Sequence, residues 1–299
     1  MADVTDRAEL GPVAKARSWR RDFVARYPVA FVGAVILVVM LFAAVAAPVI
    51  APIEPTQLTP ADRLTAPGAE SLSGNTYLFG TDMFGRDVWS RTVYGARVSL
   101  IVGVTVAVLA VVVGLFVGLI SGYIRWLDSI VMRVMDGLMA IPGILLAIAL
   151  VSLSGASLTT VIVAITIPEI PRVVRLVRSV VLSVREEPYV EAAVSIGTPL
   201  PLILWRHVLP NTIPPLIVQA TYVCASAMLL EALLSFLGAG TPPEIPSWGN
   251  MMAEARLFFQ LAPWIIFFPG IALALTILAV NVLGDALRDR LDPKLARRI

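Results

Sequence analysis

The feature that most constrains this chain is a series of long apolar runs without a charged side chain. A helix that crosses a bilayer core needs about 20 apolar residues. With 58% hydrophobic residues and a mean hydropathy of +0.85, the composition lies outside that of soluble proteins. The sequence therefore predicts an all-α polytopic membrane protein. Four long runs contain no charged residue: 27–53, 98–124, 137–168 and 257–284. A fifth run, at 207–230, is followed by one carboxylate and then by more apolar residues.

The run at 137–168 is too long for one span and contains a small, polar stretch at Ser152–Ser157, typical of a tight turn. We therefore predict one helix near Met135–Leu153 and another near Leu158–Arg178, which gives six transmembrane helices in total. The first run could be a signal peptide, because Ala43–Pro48 resembles a small-residue cleavage site. Its apolar run is longer than the 7–15 residues or so of a signal core, so we expect a membrane anchor.

The distribution of Lys and Arg predicts the orientation. With both termini in the cytoplasm (N-in/C-in), 18 of the 23 basic residues lie on the inner side and 5 on the outer side. Inner-leaflet lipid would attract these flanking charges, so we expect membrane lipid and no nucleic acid as a partner. The expected segments are an N-terminal cytoplasmic tail, a first transmembrane helix, an extracytoplasmic segment, a main transmembrane domain and a C-terminal cytoplasmic tail, at 1–28, 29–52, 53–97, 98–285 and 286–299, with a cytoplasmic loop at 179–213.

Several kinds of catalytic and metal site are excluded by the residues present. A phosphate-binding loop needs Gly-Lys-Ser/Thr, and neither lysine follows a glycine: Lys15 follows Ala14 and Lys294 follows Pro293. One histidine and one cysteine leave no multi-histidine or cysteine metal cluster. We expect neither catalysis by this chain nor a metal or cofactor bound to it.

The cytoplasmic loop predicts two helices that meet at a glycine. The first should run over Arg185–Ile196 and end at Gly197 in a left-handed C-cap. Thr198 is expected as N-cap of the second helix, which Pro210 should end. A helix with large apolar side chains outside the bilayer is typical of a docking element, although a helix lying on the lipid surface is the alternative; the side chains expected to be exposed are Leu202, Ile203 and Trp205.

The spacing of residues in this loop resembles the EAA loop of ABC importer permeases. Glu191-Ala192-Ala193 is followed by Gly197 and then by His207-Val208-Leu209-Pro210. Glu169 departs from the family pattern, where a neutral residue is expected. Further stretches resemble the C-type subunit of dipeptide and oligopeptide permeases; they are Phe79–Gly103, Asp128–Ile148, Glu231–Arg256 and Asn281–Pro293.

This resemblance implies a MetI-like fold at 98–285 and a translocation subunit in a prokaryotic cytoplasmic membrane. It also implies a second homologous permease subunit, two cytoplasmic ATPase subunits that bind ATP and Mg, and an extracytoplasmic binding protein. The solute stays open among dipeptides, longer peptides, nickel chelates, haem and other small solutes. The residues that the resemblance assigns to ATPase coupling are Glu191, Ala192, Ala193, Gly197, Leu202, Trp205, Arg206, His207, Leu209 and Pro210.

One stripe of the helix after this loop carries Cys224, Glu231 and Ser235, spaced by 7 and 4 residues. A carboxylate at membrane depth seldom faces lipid, so the stripe is a candidate for the pathway or a gate. A hydrogen-bonded structural role for Glu231 is the alternative. Glu231 would also be the proton site if the chain were an ion-coupled secondary transporter, but six spans without an inverted repeat do not favour that class. A membrane enzyme would need a paired catalytic group, which we do not find.

Charged residues crowd the segment before the second span. Asp82, Arg86, Asp87 and Arg91 could form an ion-paired outer cap or a platform for a binding protein. Asp82 and Arg86 stand four residues apart, which favours an ion pair on a helix. In the second span, three glycines recur every four residues and predict close helix packing, with pore lining as the alternative; they are Gly114, Gly118 and Gly122.

Overall fold

A computed structural model describes residues 28–291. Apart from two isolated β-bridges, the regular elements of this part are helical. The helices are α1 (Pro28–Ile50), α2 (Val88–Tyr123), α3 (Arg125–Ala140), α4 (Gly143–Ser154), α5 (Leu158–Val184), α6 (Pro188–Ser195), α7 (Leu200–Ile203), α8 (Leu209–Phe236), α9 (Trp248–Ala255) and α10 (Trp264–Leu291). A π-helical segment, Leu204–Val208, joins α7 to α8, and short 3₁₀ turns lie at Pro60–Asp62 and Arg256–Phe258.

Within residues 28–291, four helical stretches are long and apolar enough to cross a membrane: Pro28–Ile50, Val88–Tyr123, Leu200–Phe236 and Trp264–Leu291. The bent pair α3 and α4 gives a fifth candidate if it counts as one span. Helix α5 is 27 residues long, but its C-terminal part carries several charged side chains, so it is not apolar enough to be counted with these four. The structure thus supports four or five spans by length and composition.

The predicted single helix near Met135–Leu153 is wrong. The chain bends by 86° between α3 and α4, at Ile141 and Pro142. Proline disfavours a helical conformation in the residue before it and cannot donate a backbone hydrogen bond, and Ile141 is extended, with φ −89° and ψ 127°. The turn predicted at Ser152–Ser157 is present, with Gly155 at φ +84° between α4 and α5.

Helices α2 and α5 pack closely along the predicted glycine series. A Cβ atom on Gly118 would lie 2.7 Å from Val177 Cβ, and one on Gly114 would lie 2.5 Å from Val173 Cβ. Gly122 meets Val181 in the same way, at 2.8 Å. The packing interpretation of the three glycines is therefore confirmed: each leaves room for a valine of α5.

Several helix ends differ from those drawn from uncharged runs alone. Helix α2 begins at Val88, ten residues before the uncharged run 98–124, because Asp87 caps it and Arg91 is ion-paired. Helix α10 continues to Leu291. At about 1.5 Å per residue, the 36 residues of α2 are longer than a bilayer core is thick, so one end extends beyond it. The tail residues 1–27 and 292–299 lie outside the described part of the chain.

Candidate coupling surface, outer ion cluster and polar face

Gly197 ends α6 in a Schellman motif. Its amide donates to the carbonyl of Val194 at 2.9 Å, and the amide of Thr198 donates to the carbonyl of Ala193 at 3.0 Å. Gly197 has φ +81°, a conformation that costs a residue with a Cβ about 1 kcal/mol or more. The predicted left-handed C-cap is confirmed, and it sets the angle between α6 and α7.

Two details of the predicted loop are wrong. The N-cap of α7 is Pro199, not Thr198, since the amide of Thr198 is used in the cap of α6 and its side chain makes no capping bond. Pro210 does not end the second helix, because the helical path continues through the π segment into α8. There the amide of Leu209 donates to the carbonyl of Leu204, five residues back. This wider turn accommodates a prolyl ring that would clash inside a regular helix.

The bend presents large apolar side chains to the surface. Trp205 is 72% exposed and Ile196 is 82% exposed, with Val194 at 51% and Leu202 at 43%. We call these four side chains, together with the exposed Glu191, Ala192 and Arg206, the coupling surface. Ile203, which the sequence placed among the exposed residues, is buried instead.

The opposite side of the bend packs into the core of the chain. Val190, Ile203 and Val208 belong to the same buried cluster as the valines of α5. These side chains therefore anchor the bend to the core that α5 and α8 share.

A polar bracket ties α6 to the π segment. The ring of Tyr189 lies 5.9 Å from that of His207, and the side-chain amide of Asn211 donates to the Tyr189 hydroxyl at 3.3 Å. The same amide donates to the carbonyl of His207 at 2.6 Å. Leu209 is half-buried and Pro210 is exposed. His207 therefore helps to brace the two arms of the bend.

Asp82, Arg86 and Arg91 meet in a buried cluster at the N-terminal end of α2. The Asp82 carboxylate accepts from Arg86 Nε at 2.5 Å and from Arg91 Nη1 at 2.9 Å. These residues do not share a helix. Asp82 Oδ1 accepts from the amides of Phe84 and Arg86, and Gly85 has φ +75°, so 82–86 is a turn. Asp87 stands apart from the ion pairs and caps α2 through the amides of Trp89 and Ser90.

Sequence reasoning missed a fourth member of this cluster. Glu254 of α9 binds Arg86 and lies 3.2 Å from Arg91 Nη1. Burial raises the pKa of Glu254 to about 7, which Arg86 opposes and Asp82 reinforces. Because Glu254 and Arg86 are 168 residues apart, no local pattern links them. The cluster joins the start of α2 to the segment between α8 and α10.

A second set of charges lies on α3 and α5, on a face that is exposed in the isolated chain. Arg175 Nη2 lies 2.5 Å from Asp136 Oδ1, with side chains 46% and 61% exposed. Arg178 Nη2 donates to Asp128 at 2.7 Å. Charged side chains in membrane segments rarely face lipid because desolvation is costly. We call this surface the polar face and infer that it meets water or protein.

Glu169 lies where α5 passes the break between α3 and α4. Its carboxylate accepts from the Ser226 hydroxyl of α8 at 2.9 Å and from Arg172 Nη1 at 3.3 Å. It is only 2% exposed. A cavity of about 310 Å³ opens beside it, lined by these three residues and by apolar side chains of α3, α4 and α8.

The stripe on α8 is divided between two environments. Glu231 and Ser235 are fully buried, and the Ser235 hydroxyl donates to Glu231 Oε1 at 2.9 Å. The segment after α8 covers them: the amide of Thr241 donates to Ser235 Oγ at 3.4 Å, and Gly249 contacts Ala232. Cys224 is partly buried and lines an apolar cavity of about 390 Å³. This burial favours the structural interpretation of Glu231; its role in transport stays a prediction.

Comparison with known proteins identifies the family. Residues 110–297 match the binding-protein-dependent transport system inner membrane component, and residues 17–67 match the N-terminal transmembrane domain of oligopeptide transport permease C. A probable peptide ABC transporter permease protein of Sinorhizobium fredii is 55% identical over 298 residues, with 100% of both chains covered. The dipeptide transport system permease protein DppC of Alkalihalophilus pseudofirmus is 42% identical, with 93% of this chain and 90% of that protein covered.

The fold is also that of a solved transporter subunit. A chain of the MetNI methionine ABC transporter, in an inward-facing conformation, superposes with a TM-score of 0.56 and 19% identity, covering 68% of this chain and 96% of that one. The fold is thus MetI-like, and the match over 110–297 covers more than half of the sequence. The chain belongs to the family of binding-protein-dependent transport system inner membrane components, the multi-pass permease subunits of ABC importers.

Proposed function

We propose that this chain is the permease subunit of an ABC importer that moves dipeptides or oligopeptides into the cytoplasm. The observation that carries the mechanism is the coupling surface, whose apolar side chains are exposed on one side of a bend that is anchored to the spans on the other. The relatives named as peptide and dipeptide permeases support peptide as the cargo.

The coupling surface fits a cytoplasmic ATPase. A large exposed apolar patch, such as Ile196 with Trp205, is typical of an interaction site. In the proposed complex, two ATPase subunits bind ATP and Mg, and each receives the bend of one of two homologous permease subunits. Closure of the ATPase pair would move the bend as a rigid body, because Val190 and Ile203 fix it to the core.

Six crossings with both termini inside account best for the helices. Helix α5 is the sixth crossing, although it is too polar to be recognised by composition. Its charged side chains can be accommodated because they lie on the polar face rather than toward lipid. The excess of Lys and Arg on the inner side supports this orientation. The segment between α1 and α2 and the segment between α8 and α10 would then be extracytoplasmic and available to a binding protein.

The polar face is the proposed side of the pathway. Asp136 and Arg175 lie on it, the Glu169–Arg172 pair lies next to it on α5, and a second permease subunit facing them would enclose a polar channel. Glu231 is enclosed by its own chain instead, which gives no support to proton coupling through that carboxylate.

Uptake by the whole complex tests this function. The chain would be reconstituted into liposomes with its partner permease, ATPase and binding-protein subunits, and accumulation of a radiolabelled dipeptide would be measured with ATP inside the lumen that corresponds to the cytoplasm. An uncoupler would collapse any proton gradient. We expect accumulation that requires ATP and survives the uncoupler. Accumulation that stops with the uncoupler, or that proceeds without ATP, would contradict the proposal.

A further inference from the structure

The cavity beside Glu169 combines one buried carboxylate with apolar walls in the middle of the membrane domain. Glu169 is 11 residues from the start of α5, or about 17 Å along the helix axis, and α5 has 27 residues. Leu138 and Met139 of α3 and Leu233 of α8 line the same cavity. Its volume of about 310 Å³ is at the lower end of the range for small-molecule sites.

The hydrogen-bonding capacity of Glu169 is not filled. An ionised carboxylate offers about four lone-pair positions. Oε1 accepts from Ser226 and Arg172, but Oε2 has one described hydrogen bond, from Arg172 Nη1 at 3.3 Å. A carboxylate that is only 2% exposed is costly unless a cation accompanies it. Oε2 therefore lacks a strong donor, and a positively charged donor fits it best.

Arg172 holds Glu169 loosely. Both of its contacts are at 3.3 Å, and its side chain is 56% exposed. Exposed ion pairs contribute little because water competes for both partners. An incoming cation can therefore replace Arg172 as the partner of the carboxylate, and the guanidinium of Arg172 then moves into water. Glu169 keeps one cationic partner in both states.

We propose that Glu169, Ser226 and the apolar cavity beside them form a substrate-contacting site that binds the protonated α-amino group of a peptide, with Arg172 as the cation it displaces. The apolar walls then receive the first side chain of the peptide. This assignment rests on the proposed function, since it requires a peptide in the pathway. It adds that the permease itself prefers peptides with a free amino terminus.

Protection of an introduced thiol tests the site in the assembled transporter. Cys224 is the only cysteine of the chain, so Cys224→Ser with Leu233→Cys places a single permease thiol at the cavity, with the cysteines of the partner subunits replaced. The rate of its reaction with a maleimide would be measured with dialanine, with N-acetyl-dialanine or with neither, in the complex without ATP.

We expect dialanine to slow the maleimide reaction. N-acetyl-dialanine should require an about tenfold higher concentration for the same slowing, because it cannot make the charge-assisted hydrogen bond to Glu169. Glu169→Gln should remove this difference, whereas Arg172→Gln should keep it, because only the displaced cation is lost. If Glu169 and Arg172 acted only in folding, both substitutions would change the difference in protection between the two peptides in the same direction.

Equal protection by the two peptides in the parent protein, or equal loss in both variants, would overturn the site. These failures are distinct from failure of the proposed function, which would appear as an absence of ATP-dependent dialanine uptake by the parent complex. Glu231→Gln, which changes a buried carboxylate that does not line the cavity, is the matched control and should leave the difference between the peptides unchanged.

Discussion

The contact of Gly118 with Val177 makes a quantitative test of the α2–α5 interface. An alanine Cβ at Gly118 would stand 2.7 Å from Val177 Cβ, 2.9 Å from Val177 Cγ1 and 3.0 Å from the Val174 carbonyl oxygen. Two of these neighbours are fixed by the backbone of α5, so the helices must separate. Overpacking of this kind costs about 1–3 kcal/mol.

Alanine also favours a helix over glycine by about 1 kcal/mol, and Gly137→Ala corrects for that gain. Gly137 lies within α3, and nothing stands within 4 Å of a Cβ placed there. We therefore expect Gly118→Ala to be less stable than Gly137→Ala by about 1–3 kcal/mol. Both tagged variants would be heated in membranes, solubilised, and assayed by size-exclusion chromatography for the fraction of intact permease.

A second background identifies the clash. In Val177→Gly the atoms at 2.7 and 2.9 Å are gone, so the penalty of Gly118→Ala should shrink, although the Val174 carbonyl keeps part of it. A melting midpoint of Gly118→Ala equal to or above that of Gly137→Ala would refute the close approach of α2 and α5.

Three further outcomes follow from the outer and buried polar groups. Hydrogen bonds from Ser73 and Tyr77 hold the pKa of Asp62 below its ordinary 3.8, so its stabilisation of the loop between α1 and α2 is present above pH 3.8 and is lost as pH falls through the lower folded value. The protection factors for hydrogen exchange in that loop, which correct for the pH dependence of intrinsic exchange, should fall there, and Asp62→Asn should lower them already at pH 7. Glu231→Leu should lower the amount of assembled complex on native gels by leaving the buried Ser235 hydroxyl without its acceptor, and Glu231→Gln should not. Equal amounts for the two variants would leave this carboxylate without a structural role. A cysteine at Ser71 should react with an impermeant maleimide in intact cells and one at Ser183 only after permeabilisation, and the reverse pattern would contradict the orientation.

The bend between α6 and α7 could largely be predicted from the sequence because its determinants are local. Gly197 has to adopt a positive φ whatever surrounds it, and a helix-forming stretch before it fixes the C-cap. The continuation through Pro210 was not readable in the same way, since a proline ordinarily ends a helix. The continuation depends on the π segment, and no residue type in the sequence predicts such a segment.

The outer cluster shows where local spacing misleads. Asp82 and Arg86 do pair, but in a turn, and Gly85 was the signal against a helix. The break between α3 and α4 also had a signal, the Pro142-Gly143 dipeptide, within a run that we interpreted by hydropathy alone. The contacts of Glu254 with Arg86 and of Glu169 with Ser226 had no signal in the sequence, because only the packing of distant segments brings each pair together.

The measurement that tests the central claim most directly is peptide-stimulated ATP hydrolysis by the purified complex with Gly197→Val beside Gly74→Val. Both glycines have a positive φ, +81° and +79°, and nothing lies within 4 Å of a Cβ at either position. The backbone strain of about 1 kcal/mol or more is therefore matched, and only the location differs. We predict that Gly74→Val, in the outer loop, keeps the stimulation and that Gly197→Val loses it through misdirection of the coupling surface. Wild-type stimulation in Gly197→Val would contradict the coupling role of this bend.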